Sequence, residues 1–388
     1  MIARALYLPQ VIALFSLALA ALAPAASAAP AKKPVVLSIL YPISTNRDPN
    51  VATSVHLSLL YGRVGSVDGL GIHGLATLTG GDVQAVQLTG VYSQIYGKAR
   101  GIHLTGVASY VMGDESGIHV TGIANVTRGK LRGVQWAGLV NMAGKGMSGI
   151  QATGLFNLAD GAGRGVQLAG AGNAAGGSFD GWQVAPGFNY VSDRLVGLQF
   201  GGVNMAVRSE GTQIGLANFT TTGQGLQMGA FNSATEQKGV PFGMINLAKN
   251  GDADWITYGS NLAAVNTGIY TSVRRFYSML TAGLPDVQGD VSNTLILTWN
   301  YGYAIPAGRA TSIGLDLGFA HYIPEKTDDP NENDRLHFSL QARAMVERTF
   351  SRKAKGFIGG GVARISEEYR MDAPFETEPL VFGGVALY

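Results

Sequence analysis

The sequence predicts an all-β protein: a repeat array of 14–16-residue coils, a β-solenoid, followed by an antiparallel β-sheet or barrel. Three observations carry this. Gly101, Gly117, Gly133, Gly149, Gly165, Gly181 and Gly197 fall sixteen residues apart, Ala85 holds the same phase upstream, and Gly211, Gly225 and Gly239 follow at a step of fourteen. Inside each unit a Gln and an Asn recur at fixed places. After Gly251 the repeat stops and longer alternating strands begin. A fixed period over many copies says that one small unit was stacked, since a single copy cannot bury its own apolar side.

In chain order, residues 1–28 read as a secretory signal. Arg4 gives the positive start, Val11 to Ala23 the apolar core and Ala26-Ser27-Ala28 a small-residue cleavage site. Export is therefore expected. The chain has no Cys, which removes disulfides, thiolate metal sites and a lipid-modified Cys. It holds 55 Gly, 14% charged residues and a formal net charge of +2, with no basic patch of the kind that nucleic acid requires. No apolar run after the leader is long enough for a transmembrane helix.

Residues 29–70 read as lead-in strands, Val35–Leu40 and Val55–Tyr61, that cap the open end of the array. The array itself is placed at 71–250. Its clearest units are Gly133-Val-Gln-Trp-Ala-Gly-Leu-Val-Asn141 and Gly149-Ile-Gln-Ala-Thr-Gly-Leu-Phe-Asn157. Gln135 and Asn141 are six apart, whereas Gln227 and Asn232 in the shorter unit are five apart. On one continuous strand that lost residue would turn everything beyond it to the opposite face, so a corner between Gln and Asn is expected.

Stacked coils would put Gln87, Gln135, Gln151, Gln167, Gln183, Gln199, Gln213 and Gln227 in one column, with His103 and His119 at the same position. Asn125, Asn141, Asn157, Asn173, Asn189, Asn218, Asn232 and Asn246 would form a second. With a step of about 4.8 Å per coil, these columns are expected to hydrogen-bond along the stack and to offer an amide face to a surface protein or polysaccharide partner. The core is expected from Val134, Trp136, Ile150, Ala152, Val166, Leu168, Leu198, Phe200, Leu226 and Met228, with Leu131, Leu139, Met147, Leu155 and Phe179 filling the rest.

From 251 to 388 the strands expected are Trp255–Tyr270, Arg275–Leu284, 293–305, Thr311–Tyr322, 336–350, 356–367 and 380–388. Tight turns such as Pro306–Arg309 alternate with long loops, the habit of outer-membrane barrels. The ending, with alternating Leu380, Phe382, Gly384 and Ala386 before Tyr388, is similar to the C-terminal assembly signal of such barrels. Phe382 and Tyr388 are therefore assigned to membrane assembly.

The run Val55-His-Leu-Ser-Leu-Leu-Tyr-Gly-Arg63, the repeated Gly-Val-Gln-x-Ala-Gly-Leu-x-Asn, Gly239-Val-Pro-Phe-Gly-Met-Ile-Asn-Leu247 and Arg274-Arg-Phe-Tyr277 resemble a family of bacterial surface-repeat proteins. The resemblance covers roughly residues 50–320. It implies export to the bacterial outer membrane or cell surface, with the periplasm as the alternative, and it implies no reaction.

Enzyme chemistry finds little support. His103 and His119 are two ligands where a metal wants three or four, and His73 extends their column only if its unit aligns. Gly69-Leu-Gly-Ile-His-Gly74 lacks a βαβ context. Asp328, Asp329, Glu332 and Asp334 lack the spacing of a calcium loop. Arg274-Arg275 and Arg352-Lys353 read as interfacial anchors or turn charges. No Ser stands in a Gly-x-Ser-x-Gly elbow. The expectation is a structural or adhesive surface protein with no catalytic residues, no cofactor and no metal. Two alternatives stay open: a small porin-like barrel that uses the repeats as strands, and a carbohydrate-binding or carbohydrate-active β-helix.

Overall fold

The computed structural model describes residues 31–284, 295–323, 337–351, 354–366 and 375–387. The leader, the acidic cluster Asp328 to Asp334, Arg352-Lys353 and Tyr388 lie outside the described residues. Those described are strand and turn throughout: a parallel β-solenoid of about 14 turns, then a closed antiparallel barrel of eight strands. The chain divides into two compact units, Met1–Gly211 and Thr212–Tyr388.

In the first unit a coil consists of a seven-residue strand, Leu131–Ala137, a corner at Gly138 and Leu139, and a four-residue strand, Val140–Ala143. A turn then returns the chain to Met147. Each strand pairs in parallel with its copy sixteen residues on, Gly133 opposite Gly149, Gln135 opposite Gln151 and Asn141 opposite Asn157. The corner falls between Gln and Asn, as the indel requires. The repeats are thus stacked coils, and the alternative in which they are antiparallel barrel strands is overturned.

The Gly that starts each coil is fixed by backbone geometry. Gly149 has φ +135°, and a Cβ there would lie 2.0 Å from the Gly133 carbonyl oxygen. A side chain would be strained and would force neighbouring coils apart. Gly149→Ala is expected to cost about 3 kcal/mol or more, read as a lowered urea midpoint for the fluorescence of Trp136 and Trp182. An unchanged midpoint would contradict this packing.

The lead-in corrects one boundary. Lys32–Leu40 pairs in parallel with Ala52–Val64, Val35 opposite Val55, and Ala52–Val64 pairs onward with Ser66–His73 and Ala76–Thr79. These strands are therefore the first coils of the solenoid and not a separate cap. The 13-residue strand serves both arms of its coil in succession, which hides the repeat in the sequence.

In the second unit the coils shorten. Gln213 pairs with Gln227, and Asn218, Asn232 and Asn246 stand in register. The barrel follows as Gly251–Ser260, Val265–Val273, Phe276–Leu284, Leu295–Pro306, Thr311–Ile323, His337–Ser351, Ala354–Ser366 and Phe375–Leu387. It closes by pairing of its first and last strands, Trp255 opposite Leu387 and Tyr258 opposite Gly384. The expected single strand Trp255–Tyr270 is two strands, which turns seven into eight. Asn261 makes the break: its amide donates to the Pro379 carbonyl at 2.7 Å and its Oδ1 accepts from Val381 N at 2.8 Å.

The last coil strand, Val240–Ala248, would expose a row of unpaired backbone groups. Side chains from the barrel wall satisfy them. Tyr301 OH donates to the Pro241 carbonyl at 2.9 Å, Trp299 Nε1 to Gly243 at 3.3 Å and Ser278 Oγ to Met244 at 2.7 Å. Asn246 N donates to Thr271 Oγ1 at 3.2 Å, and Phe242 packs edge-on against Tyr301 and Trp299.

Which side of each solenoid strand faces inward is the main correction. Gln135, Gln151, Asn141 and Asn157 are 0% exposed, whereas Trp136 is 61% and Phe200 52% exposed. Ile150, Leu168, Met228, Leu139 and Leu155 are also exposed, and Val134, Ala152, Val166, Leu198 and Leu226 are half-buried. Of the expected core only Leu131, Met147 and Phe179 are enclosed, joined by a column of small residues at Ala143, Ala159 and Ala175.

Candidate functional site: buried amide columns and the barrel interior

Burying an amide is tolerable only if its donors and acceptors are met. Stacking at one register does this. Gln151 Nε2 donates to Gln135 Oε1 at 2.9 Å, Gln167 to Gln151 at 2.8 Å, Gln183 to Gln167 at 2.7 Å and Gln199 to Gln183 at 2.8 Å. The Asn column runs the other way. Asn125 donates to Asn141 at 3.1 Å, Asn141 to Asn157 and Asn157 to Asn173 at 3.0 Å, and Asn173 to Asn189 at 2.9 Å. Two amide chains of opposite polarity therefore run side by side, and their dipoles offset each other. Each Asn also reaches across the corner, as Asn157 Nδ2 does to the Leu168 carbonyl at 2.7 Å and to that of Gln151 at 3.2 Å.

In the second unit Gln227 donates to Gln213 at 3.0 Å, and Asn218 to Asn232 and Asn232 to Asn246 at 2.8 Å. The columns expected from the sequence exist, but as the interior. They are not a face that a partner could touch.

A Gln column that donates toward the N-terminus needs an acceptor at its first member. Gln87, His103, His119 and Gln135 share the column position, and His119 does not accept from Gln135. Glu115 does: Gln135 Nε2 donates to its Oε1 at 3.1 Å, and Thr127 Oγ1 donates to its Oε2. His119 Nδ1 lies 3.3 Å from the same carboxylate. The His119 ring sits 4.4 Å from that of His103.

A second buried pair, His56 and His73, has ring centroids 4.6 Å apart, with Ser58 Oγ 2.8 Å from His73 Nδ1. His73 does not extend the His103 column; Gly71 holds that place and His73 aligns with Thr89.

Burial sets the protonation of this stretch. It lowers His103 to about 3, helped by His119 and opposed by the Arg100 carbonyl, and it lowers His119 to about 4. It lowers His56 to about 4 and, with His56 alongside, His73 to about 3. Burial pushes Glu115 up to about 7, against hydrogen bonds from Thr127 and Gln135. Glu115 was not singled out in the sequence, where it looks like one more turn acid. Among the described residues no group of three His, Cys, Asp or Glu comes together as a metal site.

The barrel interior is filled: Ile256, Tyr270, Met279, Met345, Phe357 and Leu380 pack as an apolar and aromatic core around a buried polar plug. Arg343 grips Asp316 through Nε to Oδ1 at 2.7 Å and Nη2 to Oδ2 at 3.2 Å. Tyr277 OH donates to the same Asp316 at 2.8 Å, and the guanidinium lies 4.5 Å over the Phe382 ring. Beside this plug the space enclosed by Tyr258, Asn266, Tyr322 and Gln341 is about 10 Å³, about one water. Phe382, assigned to assembly, points inward and is 3% exposed. Where it is free the outer wall is apolar, with Leu315, Leu317, Ile358, Val381, Val385 and Leu387 facing out; over Thr271, Ser278, Trp299 and Tyr301 the last coil covers it. Tyr303 and Phe350 stand exposed toward the ends of their strands, Trp255 stands exposed at the middle of its own, and Arg275 Nη1 donates to Tyr303 OH at 3.0 Å.

No protein-family model, no curated protein and no solved structure matches this chain.

Proposed function

We propose that this chain is an exported, non-enzymatic protein of the bacterial outer membrane, with the barrel as its membrane-spanning part and the solenoid as a structural module joined at the short-turn end, where Gly251 pairs with Val273. The observation that carries this reading is the outer wall of the barrel, where Leu317, Ile358 and Val381 stand 71%, 68% and 61% exposed. Apolar side chains also fill the interior, so the inside does not separate a soluble barrel from a membrane one; the outside does, because a water-soluble barrel would turn polar side chains to solvent. A membrane barrel carries an apolar outer band, because lipid is its outer solvent. Three of the four connections at one end, 285–294, 324–336 and 367–374, are longer than 274–275 and 307–310 at the other; the fourth, 261–264, is a short turn.

The Arg343–Asp316 plug disfavours the porin-like alternative, since an eight-stranded barrel filled by side chains has no aqueous bore. A β-helix hydrolase would need paired carboxylates projecting from adjacent coils. Glu115 is enclosed in the stack and has no such partner.

The test is the full chain in its native membrane. Carbonate washing should leave it with the membrane, and unboiled protein should migrate differently from boiled protein in a denaturing gel. Release by carbonate with no mobility difference would overturn the membrane reading and leave a periplasmic protein.

A further inference from the structure

The solenoid turns three columns of large apolar residues outward on its seven-residue strands and corners. They are represented by Ile102 and Ile118, by Leu104 and Trp136, and by Leu139 and Leu155, each between 41% and 61% exposed. From Val86 to Phe200 the strip runs about 34 Å along the stack at 4.8 Å per coil. Its exposed apolar area is on the order of 1,000 Å², above the 300–600 Å² of the largest patch on an ordinary monomer.

Along one edge, Arg100, Arg132 and Arg164 stand exposed on alternate coils, with Ser116 and Ser148 between them and Asp180 next in line. Arg132 reaches Asp114 at 3.6 Å in an exposed pair, which is worth little in water.

Two observations identify the occupant. The outer column is uneven, Trp136, Ala152 and Leu168 standing in register. A rigid partner needs a complementary surface, whereas acyl chains fill unequal gaps without cost in fit. The Arg edge beside Trp136 and Trp182 is the arrangement that sits at the headgroup boundary, indole at the interface and guanidinium on phosphate.

We propose that this face of the solenoid, within Val83–Phe200, lies on a phospholipid surface, its apolar columns sunk into the interface and Arg100, Arg132 and Arg164 on anionic headgroups. The inference rests on the membrane location proposed above, but it concerns a different part of the chain. The solenoid would then be a second, monotopic lipid contact.

The experiment uses the full chain folded into vesicles of phosphatidylcholine and phosphatidylglycerol, with and without bromine on the acyl chains. Quenching is compared between the wild type and Trp136→Phe/Trp182→Phe; the difference isolates the two face tryptophans from Trp255 and Trp299. At least twofold quenching of that difference signal is expected, reduced by Arg100→Glu/Arg132→Glu/Arg164→Glu. All these positions are exposed, so the fold should tolerate the changes.

Heat-dependent mobility reports barrel insertion separately. An inserted chain with no quenching of Trp136 and Trp182 overturns the proposal. So does a detergent-stable dimer that Ile118→Glu/Leu168→Glu dissolves, since the face would then be covered by a second copy. If the barrel does not insert, the chain is mixed with phosphatidylglycerol vesicles and floated: co-flotation lost in the triple Glu variant sustains the lipid face, and no co-flotation overturns it.

Discussion

Asn157→Asp is expected to destabilise the solenoid by about 5 kcal/mol or more at pH 7.5, the larger part of an ordinary domain's stability. The Asn157 amide nitrogen serves three oxygens: Asn173 Oδ1 at 3.0 Å, the Leu168 carbonyl at 2.7 Å and the Gln151 carbonyl at 3.2 Å. An isosteric carboxylate would place negative charge against all three, in a site with no access to water. Gln151→Glu should cost less. Its Nε2 donates to Gln135 Oε1, so only that one side-chain contact becomes oxygen against oxygen. Gln167 would still donate to the new carboxylate. Urea unfolding followed by the fluorescence of Trp136 and Trp182 gives both values. If the two variants fall within about 1 kcal/mol of wild type, the amide columns do not carry the stack.

Acid is the second large effect. His56, His73, His103 and His119 all have folded pKa values of about 3 to 4, below the roughly 6.5 of an unfolded chain. The unfolded chain therefore takes up protons that the folded one refuses. The share of stability held by each ring is full above about 6.5 and falls as pH drops toward the folded value. At pH 5 that is about 2 kcal/mol for each ring.

Glu115 acts in the opposite sense. Its folded value of about 7 lies above its ordinary one, so its share is full at low pH and is lost as pH rises from about 4.5 to 7. Moving from pH 7.5 to 5 returns about 2 kcal/mol through Glu115, which leaves a net loss of about 6 kcal/mol from the four rings together. His103→Gln with His119→Gln should remove about half of the histidine share and lengthen the Gln column. A urea midpoint that stays flat between pH 7.5 and 5 in the wild type would show that these rings are not sealed as described.

The stacking, the sixteen-residue register and the corner were readable because period and indel are properties of spacing, and spacing is what the backbone obeys. Inside and outside were not. Alternation along a strand separates two sets of side chains without saying which set is enclosed, and apolarity alone favours the wrong one here. A usable signal was present. The Gln and Asn positions repeat with one residue type, whereas Trp136, Ala152 and Leu168 share a column and differ greatly in volume. That signal marks the amide columns and not every interior position: Leu131, Met147, Gly163 and Phe179 share an enclosed column, where the Phe179 ring fills the space that Gly163 leaves.

Glu115 was hidden for a related reason: its role as terminal acceptor depends on the direction of a hydrogen-bonded chain, which no residue pattern records. The eighth barrel strand had a signal, since Gly259-Ser260-Asn261 are turn residues, but the apolar Leu262-Ala-Ala-Val265 that follows lets the two strands read as one.

The closure of the last coil by Ser278, Trp299 and Tyr301 has a consequence for growth. An interior coil meets a copy of itself above and below, so duplicating sixteen residues adds a rung without asking anything new of its neighbours. Only the terminal rung meets a different surface, and that surface recognises main-chain carbonyls, which every rung possesses. Length is thereby uncoupled from termination: such an array can be extended or trimmed by gene duplication while its stopper stays the same.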